Sequence, residues 1–179
     1  MITVREAAIG DVAAMARVQV DTKKAMYRSF YPAELLEALA YEKTAAAWRH
    51  NLWEQPMHPG AFSLLAESKT GEVLGVLIAG PEAGEDSQYQ GEIYVLYVLP
   101  QWHGHGVGRA LVAAAARRLL DAGITTLLIW VLAANPARGF YEALGGRLVR
   151  SRNLELHGHT LPEVAYGWED LHELIGDAQ

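Results

Sequence analysis

Residues 97–112 read YVLPQWHGHGVGRALV, a strand-like apolar run that breaks into a glycine-rich loop and then continues with helical spacing. The loop contains three glycines, Gly104, Gly106 and Gly108. Such a loop leaves main-chain N–H groups unpaired at the start of the helix, where the helix dipole also favours negative charge. Since glycines let the main chain approach a phosphate closely, the stretch predicts an anion site, and pyrophosphate is a fitting ligand.

Two familiar nucleotide-binding patterns do not fit this loop. In the segment GHGVGR, Arg109 stands where the pattern G-x-G-x-x-G requires its third glycine, and G-x-x-x-x-G-K-[ST] does not occur in the chain. The sequence therefore disfavours a nucleotide-dependent enzyme.

Outward from the loop, strand and helix signals alternate. The first third reads as a strand at residues 2–5 followed by helices, the first of them with Asp11 as its expected cap. Residues 61–80 read as a hairpin, and strands are expected at 91–99, 124–132, 147–156 and 163–171. Asn135 and Pro136 are a fitting N-cap and first-turn pair for a short helix. This order predicts a mixed α/β or α+β fold, with residues 1–179 as a single domain.

Composition narrows the function. The 179 residues contain no cysteine, which excludes disulfides, thiolate metal sites and a cysteine nucleophile. The formal net charge of −6 disfavours broad binding to nucleic acid or anionic membranes. The opening residues lack a basic start followed by an apolar core, so a cytoplasmic location is expected. His103 with His105, and His157 with His159, lack acidic partners at ligand spacing, and no metal site is expected.

A third phosphate-loop template fits well. The run from His103 to Gly108 resembles the acyl-CoA-binding signature Q/R-x-x-G-x-G/A of the GCN5-related N-acetyltransferase (GNAT) superfamily, with His103 in place of the usual Gln or Arg. IYVLYVLP at 93–100 resembles the family's central strand, and NPARGFYEALGG at 135–146 its Asn…Tyr-Glu-x-x-Gly segment. The resemblance implies a mostly antiparallel mixed sheet with a splayed central strand, flanked by helices.

The same resemblance implies acetyl-CoA as cosubstrate and locates its contacts. Pantetheine would bind the main chain of Leu96, Tyr97 and Val98, and pyrophosphate the loop amides. Asn135 would lie near the pantetheine arm and Tyr141 beside the thioester sulfur. The expected cofactor-binding set is completed by His103, Gly104, His105, Gly106, Val107, Gly108 and Arg109.

The implied reaction is acetyl transfer to a primary amine by direct attack in a ternary complex. An alkylammonium of pKa ~10.4 must lose a proton near pH 7.4, which costs about 4 kcal/mol without a base. Glu92 stands where the histone-acetylating branch has its base, and Tyr141 is the expected acid. The expected acceptor-side residues are Tyr27, Tyr31, Tyr94 and Trp130. On a regular strand Glu92, Tyr94 and Leu96 share a face, a phase that a bulge would shift.

Three questions stay open in the sequence. A non-catalytic acyl-CoA-binding module would keep the same loop. The acceptor is open among small amines, polyamines, amino-acid derivatives and peptides. Since dimers are common in the superfamily, a homodimer also stays open.

Overall fold

The computed structural model describes residues 2–84 and 86–176. Its strands form one seven-stranded sheet of order β1-β2-β3-β4-β5-β7-β6. The strands are β1 (Thr3–Glu6), β2 (Phe62–Glu67), β3 (Val73–Pro81), β4 (Gly91–Val98), β5 (Leu127–Leu132), β6 (Arg147–Leu156) and β7 (His159–Trp168). The helices are α1 (Val12–Met26), α2 (Ala33–Glu37), α3 (Tyr41–Arg49), α4 (Val107–Asp121), α5 (Arg138–Ala143) and α6 (His172–Ile175). A π turn, His50–Glu54, extends α3.

The sheet is antiparallel except at its centre, where β4 runs parallel to β5. Their pairing covers Gly91 with Leu127, Glu92 with Leu128 and Ile93 with Ile129. Beyond Ile93 the two strands separate, although both continue for several residues. The expected mixed sheet with a splayed central strand is confirmed.

Two hydrophobic cores cover opposite faces of this sheet. On one face α4 packs through Leu111, Ala115 and Leu119 in a cluster that includes Ile93 and Ile129. On the other face α1 contributes Met15 and Val18 to a cluster with strands β2 and β3, and the aromatic residues of α3 and its π turn pack around it. The outer half of this second face, over β5, β7 and β6, carries the small cluster of Tyr89, Leu128 and Ala165.

A bulge in β4 changes which residues share a face. Ile78 of β3 pairs with Val95 and the next residue, Ala79, pairs with Ile93, so that Tyr94 is the extra residue. Leu96 consequently joins the α4 cluster, while Tyr94 packs with the α1 cluster. The regular-strand phase, with Leu96 beside Glu92 and Tyr94, is wrong because the extra residue inverts the alternation beyond it.

The expected cap on α1 also needs correction. Asp11 directly precedes the helix but makes no side-chain capping bond to it. Its carboxylate instead accepts hydrogen bonds from the N–H of Ala8 and from the guanidinium of Arg5, at 2.8 Å and 2.7 Å. Arg5 also pairs with Glu67, and the ion pairs tie β1 to the start of the helical segment.

Among residues 2–84 and 86–176, no helix is both long enough and apolar enough to cross a membrane.

Candidate active site

A cavity of about 510 Å³ opens where β4 and β5 separate. Residues from the end of α1, the end of β4, the glycine loop and α5 surround it. The lining residues named from the sequence are Tyr27, Leu96, Tyr97, Val98, His103, Gly104, Gly106, Val107, Gly108, Arg109, Asn135 and Tyr141. The structure therefore brings together Tyr27 and Tyr141, which are 114 residues apart in the sequence.

The glycine loop presents unpaired N–H groups to this cavity. Gly104 and Gly106 have φ values of +76° and +82°, in the left-handed region where a side chain is strained. Within the described residues, the main-chain N–H groups of Gly104 and of residues 106–109 donate to no other group. They lie at the start of the 15-residue helix α4, so the loop has the electrostatics of an anion site.

The open edge of β4 offers a second row of polar groups. The N–H of Leu99 donates to Leu74 of β3. Because hydrogen-bonding groups alternate along a strand, those of Leu96 and Val98 point the other way, into the gap. The carbonyl of Val98 already accepts from the Thr22 hydroxyl at 3.1 Å and lies 2.9 Å from His103 Nε2.

His103 is the residue that departs from the loop signature, and its imidazole contacts the strand. Its ring joins the loop to the last residue of β4. His105 does not line the cavity; its Nδ1 lies 2.9 Å from the His103 carbonyl and its ring packs edge-on against Trp102.

Tyr141 lies on α5 and is only 6% exposed. Its ring packs against Phe140 and Tyr166, and its hydroxyl has no hydrogen-bond partner within the described residues. Burial, together with the nearby hydroxyls of Tyr27 and Tyr97, raises the pKa of Tyr141 well above its ordinary value. At neutral pH this hydroxyl is protonated and available as a donor.

The side chain of Asn135 makes two hydrogen bonds just before the start of α5. Its Oδ1 accepts from the N–H of Ala137 at 2.9 Å and so closes the turn that precedes the helix. The expected N-cap at Asn135 is wrong, because the N-cap of α5 is Ala137 and the helix begins at Arg138. Asn135 Nδ2 donates to the hydroxyl of Tyr27 at 3.3 Å. Burial raises the pKa of that hydroxyl, so Tyr27 stays neutral.

Glu92 lies on β4 below the gap and outside the cavity lining. One carboxylate oxygen accepts from the N–H of Ala83, at 3.2 Å. Burial raises the pKa of Glu92, and the charges of Glu82 and Glu163 add to this, while the hydrogen bond from the Ala83 N–H and the charge of Arg152 oppose it. The side chain is thus a carboxylate of increased basicity, one residue before Ile93, where the pairing of β4 with β5 ends.

The predicted acceptor-side residues occupy three different places. Tyr31 packs edge-on against Tyr27, and the ammonium of Lys23 lies 5.1 Å from its ring centroid. Tyr94 stacks on His58 and donates to the carbonyl of Pro81, away from the cavity. Burial raises the pKa of Tyr94 to about 12. Trp130 faces the open part of the sheet with the Arg152 guanidinium 3.9 Å above its ring.

Six further lining residues were not identified from the sequence. They are Thr22, Met26, Trp102, Pro136, Ala137 and Phe140. Thr22 and Met26 are one turn apart on α1, a spacing that indicates a common face but not what that face meets. Phe140 approaches Gly108 closely: a Cβ there would lie 3.0 Å from its ring, so the ring would have to shift to admit a side chain.

Among the histidine and acidic side chains of residues 2–84 and 86–176, no group of three or more is close enough to hold a metal ion.

In sequence, this chain is similar to known acetyltransferases. Residues 23–146 match the model of the acetyltransferase (GNAT) family. The chain is 35% identical over 174 residues to the uncharacterized N-acetyltransferase YuaI of Bacillus subtilis, covering 97% of this chain and 96% of YuaI. A 61-residue segment is 44% identical to mycothiol acetyltransferase of Nocardiopsis dassonvillei, but it spans only 34% of this chain and 18% of that protein.

Solved structures share the fold at low identity. PaiA N-acetyltransferase from Thermoplasma acidophilum, in complex with coenzyme A, superposes with a TM-score of 0.68 at 18% identity, over 92% of this chain and 98% of that chain. YncA from Salmonella typhimurium, with its cofactor acetyl-CoA, gives a TM-score of 0.66 at 18% identity, over 95% and 94% of the two chains.

Proposed function

The chain belongs to the acetyltransferase (GNAT) family and is an acetyl-CoA-dependent acetyltransferase, and on this premise we propose that it acetylates a primary amine by direct attack in a ternary complex. The acceptor is a small molecule, a polyamine or a peptide. The observation that carries the proposal is the cavity in the gap between β4 and β5, bordered by unpaired loop amides.

In the proposed complex the pyrophosphate of acetyl-CoA binds the N–H groups of Gly104 and residues 106–109. The pantetheine arm then runs along the open edge of β4, where the main-chain groups of Leu96 point into the gap. Such an arrangement leaves the thioester beside Tyr141. The PaiA and YncA structures, which contain coenzyme A and acetyl-CoA, support a cofactor of this kind in this fold.

The proposed chemistry uses the groups around the gap. The amine nitrogen attacks the thioester carbonyl, and N–H groups of the splayed strand stabilise the developing oxyanion. The C–S bond breaks, Tyr141 gives its proton to the thiolate of CoA, and the second proton lost by the amine nitrogen restores the Tyr141 hydroxyl through water. Glu92 takes the proton of the ammonium through water, since its carboxylate lies below the gap and burial raises its pKa.

An acceptor panel tests the proposal. The protein is incubated with acetyl-CoA and, separately, n-butylamine, spermidine, glycine amide and a lysine-containing peptide, and released CoA is measured with a thiol reagent. Because the chain has no cysteine, it gives no background signal. We expect thiol release that depends on an amine and matches the acetylated product. Binding of acetyl-CoA with no amine-dependent release from a broad panel would favour a non-catalytic binding module instead.

A further inference from the structure

One buried charge is not used by the proposed reaction. Among the described residues, the buried polar side chains are those of Thr22, Ser63, Asn135 and Glu163, and only Glu163 carries a formal charge. Burying a carboxylate costs free energy unless it is paired. Glu163 accepts a hydrogen bond from Arg152 Nε at 2.8 Å, but only through its oxygen Oε2. Within the described residues Oε1 has no partner.

Strand register places Glu163 at the level of the gap. Glu163 pairs with Leu132, which lies three residues beyond Ile129, the last residue of β5 that pairs with β4. Three register positions beyond Ile93, with the extra residue Tyr94 not counted, β4 has reached Tyr97. Because paired strands rise at similar rates per residue, Glu163 is level with the strand segment expected beside the thioester. Glu92 lies well below it.

Side-chain direction places Glu163 on the face opposite α4. Directly opposed residues of an antiparallel pair point to the same side, so Glu163 follows Leu132, which shares its face with Trp130. Arg152 confirms this side, because its guanidinium lies on the Trp130 ring while its Nε holds Glu163. This is also the face on which α1 packs.

A cation also lies on this face of the sheet, on α1. Lys23 on α1 lies near the ring of Tyr97 at 5.8 Å, and within the described residues it has no carboxylate partner. His159, the first residue of β7, contacts α2: its Nε2 is 2.7 Å from the Glu34 carboxylate. An ammonium group on this face is repelled by Lys23 and attracted by the free oxygen of Glu163.

We propose that Glu163 binds the ammonium group of the acceptor through Oε1 and positions its nitrogen above the gap between β4 and β5. Arg152 holds the carboxylate by its other oxygen, and Trp130 supports Arg152 from below. The assignment rests on the proposed function, and it makes Glu163 an acceptor-binding residue, while Glu92 remains the proton acceptor. A residue with this role affects binding of the amine but not binding of the cofactor.

The test compares removal of each partner of the ion pair. Binding of n-butylamine and of the strongest-binding amine of the panel is measured by calorimetry in the presence of CoA, so that no turnover is needed. For Glu163→Gln we expect at least a tenfold weaker amine affinity with the CoA affinity unchanged. For Arg152→Gln, which frees the carboxylate, we expect amine affinity equal to or tighter than that of the wild type. Glu155→Gln, on the exposed part of β6, is the matched control for loss of one negative charge and should bind as the wild type does.

The outcomes separate a binding role from a structural one. If the pair only stabilised the β6–β7 hairpin, both substitutions would lower the melting temperature and weaken amine binding alike, and this would overturn the proposal. Unchanged amine affinity in Glu163→Gln would overturn it as well. Should Glu163→Gln not fold, Glu163→Asp decides: it keeps the charge but withdraws the carboxylate, and amine affinity should fall at least threefold. Since amine binding is read without turnover, failure of the acetylation assay in the wild type is a separate result that bears on the proposed function.

Discussion

The side-chain amide of Asn135, just beyond β5, donates to the hydroxyl of Tyr27 at the end of α1, across 3.3 Å. This contact joins the two sides of the cavity, since α1 packs over β4 and Asn135 begins the turn into α5. One side chain thereby closes the turn before α5 and contacts the wall that faces it.

Substitution of Asn135 by Ala should affect both stability and cofactor binding. Loss of the bond to the Ala137 N–H should cost about 1 kcal/mol of unfolding free energy, as for other single hydrogen bonds. Loss of the Tyr27 contact should raise the KM for acetyl-CoA several-fold. Urea unfolding and steady-state kinetics measure the two effects. Asn153→Ala on β6, an exposed position, is the control; equal KM values in the two variants would remove Asn135 from the cofactor site.

The loop glycines allow a matched pair of substitutions. Gly106 and Gly158 have φ values of +82° and +83°, and a Cβ would meet no neighbouring atom at either position. Gly106→Ala and Gly158→Ala should therefore each cost about 1–2 kcal/mol of unfolding free energy from backbone strain. Only Gly106→Ala should also raise the KM for acetyl-CoA, because it alone alters the loop amides. If Gly158→Ala raised this KM equally, the effect would be one of general stability.

Tyr141→Phe should lower kcat by at least tenfold while the acetyl-CoA affinity stays nearly intact. The phenylalanine keeps the packing against Phe140 and Tyr166 but has no proton for the leaving thiolate. Tyr166→Phe is the control, since that hydroxyl contacts Glu142 and Arg138 and should affect stability more than kcat. Unchanged turnover in Tyr141→Phe would exclude the acid role.

Glu92→Gln should shift the pH optimum of turnover upward. A base acts when ionised, so the wild-type rate should rise through the pKa of Glu92, which burial raises. Without it, the rate should follow the deprotonation of the amine itself at higher pH. A pH profile that does not move would assign the proton to water or to another group.

The raised pKa of Glu92 also predicts how the stability of the protein changes with pH. Because folding raises the pKa of Glu92, the folded state binds the proton more tightly, and this contribution to stability is lost as pH rises from about 4.5 through the folded pKa. Glu92→Gln should therefore melt at a higher temperature than the wild type at pH 7, with the difference decreasing at low pH. Thermal melts at several pH values measure this. A difference that grows on acidification would contradict the assigned direction.

The loop and the strand before it were predictable from the sequence because their signals are local. Gly104 and Gly106 have positive φ where the chain turns, Gly108 lies close to Phe140, and the apolar run marks β4. Asn135 and Tyr141 were found because they stand at fixed spacing in one short segment.

Residues whose position depends on long-range pairing were not predictable in this way. The bulge at Tyr94 arises in the register between β3 and β4, and it decides which face Leu96 takes. Glu163 reaches the level of the gap only because β7 pairs with β5, and nothing near it in the sequence indicates this. Thr22 and Met26 meet the cavity through the packing of α1 on the sheet.

The most direct test of the proposed catalytic site is a crystal structure of the protein with CoA. We expect the pyrophosphate within hydrogen-bonding distance of the N–H groups of Gly104 and residues 106–109, and the thiol beside the hydroxyl of Tyr141. CoA bound outside the gap between β4 and β5, or with its pyrophosphate away from the loop, would contradict the assignment.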